Sequence, residues 1–305
     1  EWKSVIDQTR RLSLVTFTGG EPWVRQDFPE LLEHACAKRV THCISNGTLL
    51  TEERARHCAE LAPRYLGGPG LLSLGVSIDA PGERHDAIRG LEGAFEKVSA
   101  GIRALTTHRD ERNQRWPMVH VTSVIQEANL DVLRDMPHVA KDLGANVLNL
   151  VLENRFHEAP GVGESDPADI AAKDIPTPWL DSGKLRRALD AALQSAKAVG
   201  IPICLPRMPM EQVIAHYAGG WNMVDFHCHE PWTSLIVGYK GDACPCFIVN
   251  AGNVRQRSLK TIWNGPEMRD FRKRCIEGLW PICQGCCAIE YHPHTHTGTC
   301  PRCNP

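Results

Sequence analysis

The sequence predicts an α/β protein: a partial (β/α)6 TIM-like barrel followed by a small cysteine-rich C-terminal domain. Three observations carry this. From Leu12 to about Leu152, short apolar runs alternate with amphipathic stretches, the signature of repeated βα units and a parallel sheet. Glycines and small polar residues follow successive apolar runs, as in a barrel whose working loops leave the carboxyl ends of its strands. The cysteines are also lopsided, with nine of 13 in the last 78 residues and none between Cys58 and Cys204.

Taken in order, the opening "EWKSVIDQTRR" reads as the end of a helix running into a strand. Strands are predicted over Leu12 to Phe17, Thr41 to Ser45, Leu72 to Ile78, Val119 to Ile125 and Val147 to Leu152. Amphipathic helices are predicted between them, at about Pro29 to Lys38, Thr51 to Ala62, Gly93 to Thr107 and Leu130 to Leu143. Five strands leave a six-stranded barrel one short, and a segment preceding Glu1 is expected to supply the sixth. The Pro-, Asp- and Gly-rich stretch from Arg155 to Ser182 reads as a lid or a surface excursion. A last helix, Lys184 to Ala198, precedes "VGIPICLP", so the expected domains are residues 1–200 and 201–305.

With 42% apolar residues in 305, the chain can bury a substantial core. Thirty-four basic against 36 acidic residues give a net charge of −2, and no basic stripe follows a nucleic-acid backbone. Neither nucleic acid nor an anionic membrane is an expected partner. No apolar run has the length of a membrane span and no signal segment opens the chain, so a soluble, cytoplasmic protein is expected. In that compartment a cysteine cluster reads as a metal site rather than as disulfides. Cys36, Cys43 and Cys58, in or beside predicted helices, read as small core residues.

The strand-end residues form a set: Gly19, Gly20, Glu21 and Pro22; Ser45 and Asn46; Ser77 and Asp79; Gln126 and Asn129. Gly20 lets a ligand approach the main chain, Glu21 can accept from an ammonium group, and Pro22 stiffens the turn. "FTGGEPW", "ISNGTLLTEE" and "GVSIDAPGERHDAIRGLEGAF", in that order, resemble the radical S-adenosylmethionine (radical SAM) enzymes over Leu12 to about Leu152. In that family a 4Fe-4S cluster held by CxxxCxxC binds SAM, and reductive cleavage gives a 5′-deoxyadenosyl radical that abstracts a substrate hydrogen. The resemblance implies that Gly19, Gly20 and Glu21 meet the SAM amino group and that Ser45 and Asn46 lie beside the cofactor. It implies ribose or carboxylate contacts for Ser77 and Asp79, and ribose or adenine contacts for Gln126 and Asn129. No CxxxCxxC occurs in the 305 residues. The loop is expected to precede Glu1; the other reading is a degenerate member that cannot cleave SAM.

Nearer the C-terminus, Cys228 is followed after twelve residues by Gly241 and after four more by Cys246, and "CQGCC" later supplies Cys283 and Cys286. A hairpin and a tight CxxC turn would together present four thiolates, a soft site that accepts zinc or an iron–sulfur cluster. The pattern resembles the SPASM extension of radical SAM enzymes, or its shorter twitch form, and this implies an auxiliary 4Fe-4S cluster. Cys300 and Cys303 form another CxxC, so one or two auxiliary clusters are expected, with Cys244, Cys275 and Cys287 as further partners. His292 stands where a full SPASM pattern has its next thiol, and His294 and His296 follow.

The resemblance thus implies a radical SAM oxidoreductase or modifying enzyme that uses SAM, a 4Fe-4S cluster and an electron donor such as flavodoxin or ferredoxin. The expected substrate is a small polar metabolite such as a sugar or aminocyclitol; a ribosomally made peptide is the first alternative. A non-catalytic scaffold with a zinc-binding C-terminal domain is the second.

Overall fold

The computed structural model describes residues 1–159 and 166–292. Cys300, Cys303, His294 and His296 therefore lie outside the described residues. The chain divides into two compact units, one of 1–151 with 183–205 and one of 152–182 with 206–305.

The first unit carries a six-stranded sheet with strand order β1-β2-β3-β4-β5-β6 and parallel pairing, the sheet of a partial TIM barrel. Its strands are β1 (Leu14–Phe17), β2 (Val40–Ser45), β3 (Gly70–Ser77), β4 (Met118–Ile125), β5 (Val147–Leu152) and β6 (Ile203–Cys204). The sixth strand thus comes from "PICLP", inside the chain, where a domain boundary had been expected. Two residues between Pro202 and Leu205 give no readable alternation, yet they suffice to pair with Leu148 and Asn149 at the sheet's end. The strands alternate with helices α1 (Trp2–Asp7), α2 (Phe28–Cys36), α3 (Glu52–Glu60), α4 (Glu83–Arg89), α5 (Ala94–Glu111), α6 (Met136–Asp142) and α7 (Ser182–Val199).

Local chemistry sets these elements. Thr51 caps α3 by accepting from the Arg54 N–H, and the buried small side chains Ala55, Cys58 and Ala59 let α5 lie close with Val98, Ile102 and Leu105 buried. Helix α4, unforeseen because its seven residues between Gly82 and Gly90 are too few to show a period, places Asp86 at the start of α5. There its carboxylate accepts the Gly93 and Phe95 N–H groups at 2.7 Å each, and these bonds hold its pKa low. Cys36, Cys43 and Cys58 are buried, and burial pushes the Cys36 thiol up to about 12.

The second unit contains α8 (Met210–Tyr217), β7 (Phe226–Cys228), α9 (Glu230–Thr233), β8 (Ile236–Val237), β9 (Ala243–Cys244), α10 (Leu259–Trp263), α11 (Pro266–Glu277) and β10 (Ile289–Tyr291). Strands β7 and β10 pair antiparallel, as do β8 and β9, the latter closing the expected hairpin. Residues 152–182 belong here because their scattered apolar side chains Ala159, Ile170 and Ile175 are buried with Ile282, beside Phe156, Ile248 and Trp280. Among the aromatics of this unit, Trp221 stacks on Phe226 at 4.4 Å and Tyr217 is fully buried, its hydroxyl accepting the Glu153 N–H, while Trp179 is exposed.

Candidate functional site

Because β1 to β4 run parallel and in sequence order, the residues that follow them lie along one rim of the sheet. The rim is built from two hydrogen-bonded brackets. In the first, the Glu21 carboxylate accepts the Trp23 N–H at 3.1 Å, the Ser45 hydroxyl at 2.9 and 3.0 Å, and the Asn46 N–H at 2.7 Å. Three donors occupy most of the four lone-pair directions of a carboxylate. Glu21 therefore locks the loop after β1 to the loop after β2. Asn46 turns its own side chain inward, accepting from the Thr48 N–H and hydroxyl. Gly47, at φ +78°, completes the turn, and a Cβ there would stand 2.7 Å from Val76.

The glycines of the first loop differ. Gly19 sits at φ +123°, so its backbone demands glycine, whereas Gly20 has no such constraint. An ideal Cβ at either position meets nothing within 4 Å. Among the described residues, nothing packs closely enough to ask for a bare backbone at Gly20, and the open space beside it fits an approaching ligand.

The second bracket joins β3 to β4. Asp79 is buried, with Arg89 paired to its carboxylate at 2.7 Å and the Val124 N–H donating to it at 3.0 Å. The fully buried Asn129 amide donates to the carbonyls of Asp79 and Val124, and its oxygen accepts the Gln126 N–H. Gln126 and Asn129 thereby cap the turn at Glu127–Asn129 reciprocally. Asp79 and Asn129 are thus engaged inside the protein, and Ser77, half-buried at the end of β3, stands between the brackets.

Two residues that the sequence reading missed face the other side of the sheet from the buried Thr41 and Cys43: His42 on β2 and His120 on β4. Gly75 of the intervening strand lets their ring centres come within 6.4 Å, since a Cβ there would already touch His42 Nε2 at 3.4 Å. Burial, with His120 adding to it, lowers the His42 pKa to about 4, and burial lowers His120 as well. His42 Nε2 is buried without a hydrogen-bond partner among the described residues. The only sequence signal was a histidine at an alternating strand position, which burial alone explains equally well.

In the second unit the thiols of Cys228, Cys246, Cys275 and Cys283 lie close enough to disfavour one another's ionisation. Burial first, and these neighbours second, push Cys246 up to about 11, Cys283 to about 12 and Cys275 well above its usual value. Cys286 hydrogen-bonds to Cys287, which raises the first thiol and lowers the second. Cys275, on α11, joins Cys228, Cys246 and Cys283, and Cys283 in turn lies near enough to Cys286 to disfavour its ionisation. Four half-buried thiols that cannot ionise comfortably together are what a cation-bearing group would relieve. Such a four-sulfur set accepts either a zinc ion or an iron–sulfur cluster.

Residues 228–287 match the SPASM family, an iron-sulfur cluster-binding domain. An AdoMet-dependent heme synthase from Methanosarcina barkeri is 27% identical over 95% of this chain and 82% of its own length. A pre-heme d1 synthase from Dinoroseobacter shibae is 26% identical over 87% of this chain and 65% of its own. A PqqA peptide cyclase from Streptomyces rochei is 28% identical over 86% and 66%. Streptococcus suis SuiB bound to precursor peptide SuiA superposes with a TM-score of 0.64 at 12% identity, covering 93% of this chain; the chain spans 63% of the SuiB length. No helix among the described residues is long and apolar enough to cross a membrane. Sequence motifs, sheet topology and relatives thus converge on a radical SAM enzyme fold whose C-terminal part carries a SPASM domain.

Proposed function

We propose that this chain is the SAM- and cluster-binding body of a radical SAM enzyme that oxidatively modifies a tetrapyrrole. The carrying observation is the open main chain at Gly19 and Gly20, held beside the Glu21–Ser45–Asn46 bracket at the strand ends. Main-chain carbonyls there, with the remaining lone pair of Glu21, would receive the SAM amino group, and Pro22 fixes the turn. Ser77 and Gln126 would reach the ribose or adenine, while Asp79 and Asn129 hold the rim that positions them. Cys228, Cys246 and Cys283, with Cys275 or Cys286, would hold an auxiliary 4Fe-4S cluster, and Cys300 and Cys303 are candidates for further ligands. When bound, SAM and the clusters supply the one-electron chemistry of hydrogen removal; the protein positions, shields and orients. His42 and His120, neutral at pH 7, would offer substrate hydrogen-bonding groups without adding charge.

The tetrapyrrole class rests on the heme synthase and pre-heme d1 synthase relatives, which align along most of the chain. A peptide substrate is the second reading, favoured by the PqqA peptide cyclase and by SuiB with SuiA. The sugar or aminocyclitol expectation gives way, since no relative described above names such a substrate. The test is anaerobic assay of the reconstituted product of the complete gene, with a low-potential donor such as flavodoxin, against a carboxylate-bearing iron porphyrin and a candidate precursor peptide. Substrate-dependent 5′-deoxyadenosine with the porphyrin alone is expected. Release with the peptide alone would replace the first reading by the second, and zinc without iron would promote the scaffold.

A further inference from the structure

The ribbon of β7 and β10 carries a second set of metal-ligating side chains. The register pairs Glu290 with His227, Ile289 with Cys228 and Tyr291 with Phe226. Strand alternation puts His227 and Glu290 on one face and Cys228, Phe226 and Tyr291 on the other. The Phe226 and Tyr291 rings meet at 5.4 Å, as that requires. On the histidine face the His292 ring lies 5.7 Å from His227 and 6.3 Å from His229. One ligand atom each from His229, Glu290 and His292 fall within 4.8 Å of one another, the one such group among the described residues.

Glu290 is oriented for this. Its Oε1 accepts from Arg207 at 2.7 Å, while Oε2 stands 3.4 Å from His292 Nε2. The guanidinium thus fixes one oxygen and leaves the other turned toward the imidazoles. Ligands about 2.0–2.1 Å from a tetrahedral zinc lie about 3.4 Å apart, so small side-chain rotations close the set. All three side chains are partly exposed, which leaves room for an ion to enter and for water to complete its coordination.

We propose that His229, Glu290 and His292 bind one divalent first-row transition ion, zinc by preference, on the ribbon face opposite Cys228. Two imidazoles and a carboxylate suit such an ion, whereas calcium and magnesium prefer all-oxygen sets. The site is independent of the thiol set and does not depend on the substrate proposed above.

The experiment is anaerobic titration of the iron-loaded protein with Co2+, read by visible absorption alongside iron and sulfide content. Expected is one equivalent of Co2+ with weak ligand-field bands and no sulfur-to-cobalt charge transfer. His229→Ala and His292→Ala should each weaken it at least about tenfold, with iron unchanged. Glu290→Gln keeps the side-chain shape and should also weaken binding, so a folding defect in a histidine variant does not decide the matter. Charge-transfer bands, binding that survives the double histidine variant, or iron lost from His292→Ala would each overturn the assignment; the last would make His292 a cluster ligand.

Discussion

Replacing Glu21 by Ala removes the acceptor for three donors: the Trp23 and Asn46 N–H groups and the Ser45 hydroxyl. Hydrogen bonds to a charged group contribute about 1.5–3 kcal/mol each, but these bonds are only part-buried and water can replace some of what is lost, so about 1 kcal/mol each and ~3 kcal/mol in total is expected. For a unit of this size that corresponds to a fall in Tm of roughly 6–12 °C. Glu21→Gln is the control. Its oxygen still accepts an N–H, and the Ser45 hydroxyl can rotate to accept from the new amide, so about 1 kcal/mol should be lost. Thermal and denaturant unfolding of the three proteins, with SAM affinity by equilibrium dialysis, tests the bracket. If Glu21→Ala unfolds within about 0.5 kcal/mol of wild type, the carboxylate does not lock the two loops and the argument fails.

The two glycines of the rim should behave oppositely. Gly20→Ala should leave stability within about 0.5 kcal/mol while weakening SAM at least tenfold, and Gly47→Ala should destabilise by about 2 kcal/mol or more through its φ and the Val76 contact; equal stability losses would refute the distinction. Cys275→Ala should cost about four irons per chain, as should Cys228→Ala and Cys283→Ala, and Cys286→Ala measured alongside tells whether the CxxC supplies one ligand or two; full iron in Cys275→Ala would remove it from the set. His42 has a folded pKa near 4 against an ordinary 6.5, so its neutral form stabilises the fold above pH 6.5 and that contribution, about 3 kcal/mol at most, is lost as pH falls toward 4. His42→Gln should flatten the stability profile between those values, and an unchanged slope would count against the buried pair.

The barrel was legible because its physics is local and repetitive. β5 matches the expected Val147 to Leu152, and the other early strands fall within two residues of their expected bounds, since burial of a central parallel strand writes a continuous apolar run. The order of GGEP, SNG and "GVSID" was enough to mark the rim, because each motif answers to a strand end. Strand β6 left no trace in two residues, and the burial of 152–182 depends on single isoleucines with no period. Pairings across many residues, Glu21 with Ser45 or Cys275 with Cys228, likewise have no local signature.

Composition, hydrophobic period and motif spacing determined the α/β class, the strand ends that build the rim, and the thiols that mark the C-terminal domain. These follow from backbone geometry and from the few residue types that can bind sulfur-loving metals. Only the folded chain decided how those residues are spent. Glu21, Asp79 and Asn129 are committed first to holding loops together, because polar groups drawn partly or wholly out of water need protein partners. Only folding brought His42 to His120 across Gly75, and His229 to Glu290 and His292 across a ribbon, because strand register, not sequence distance, sets which side chains meet.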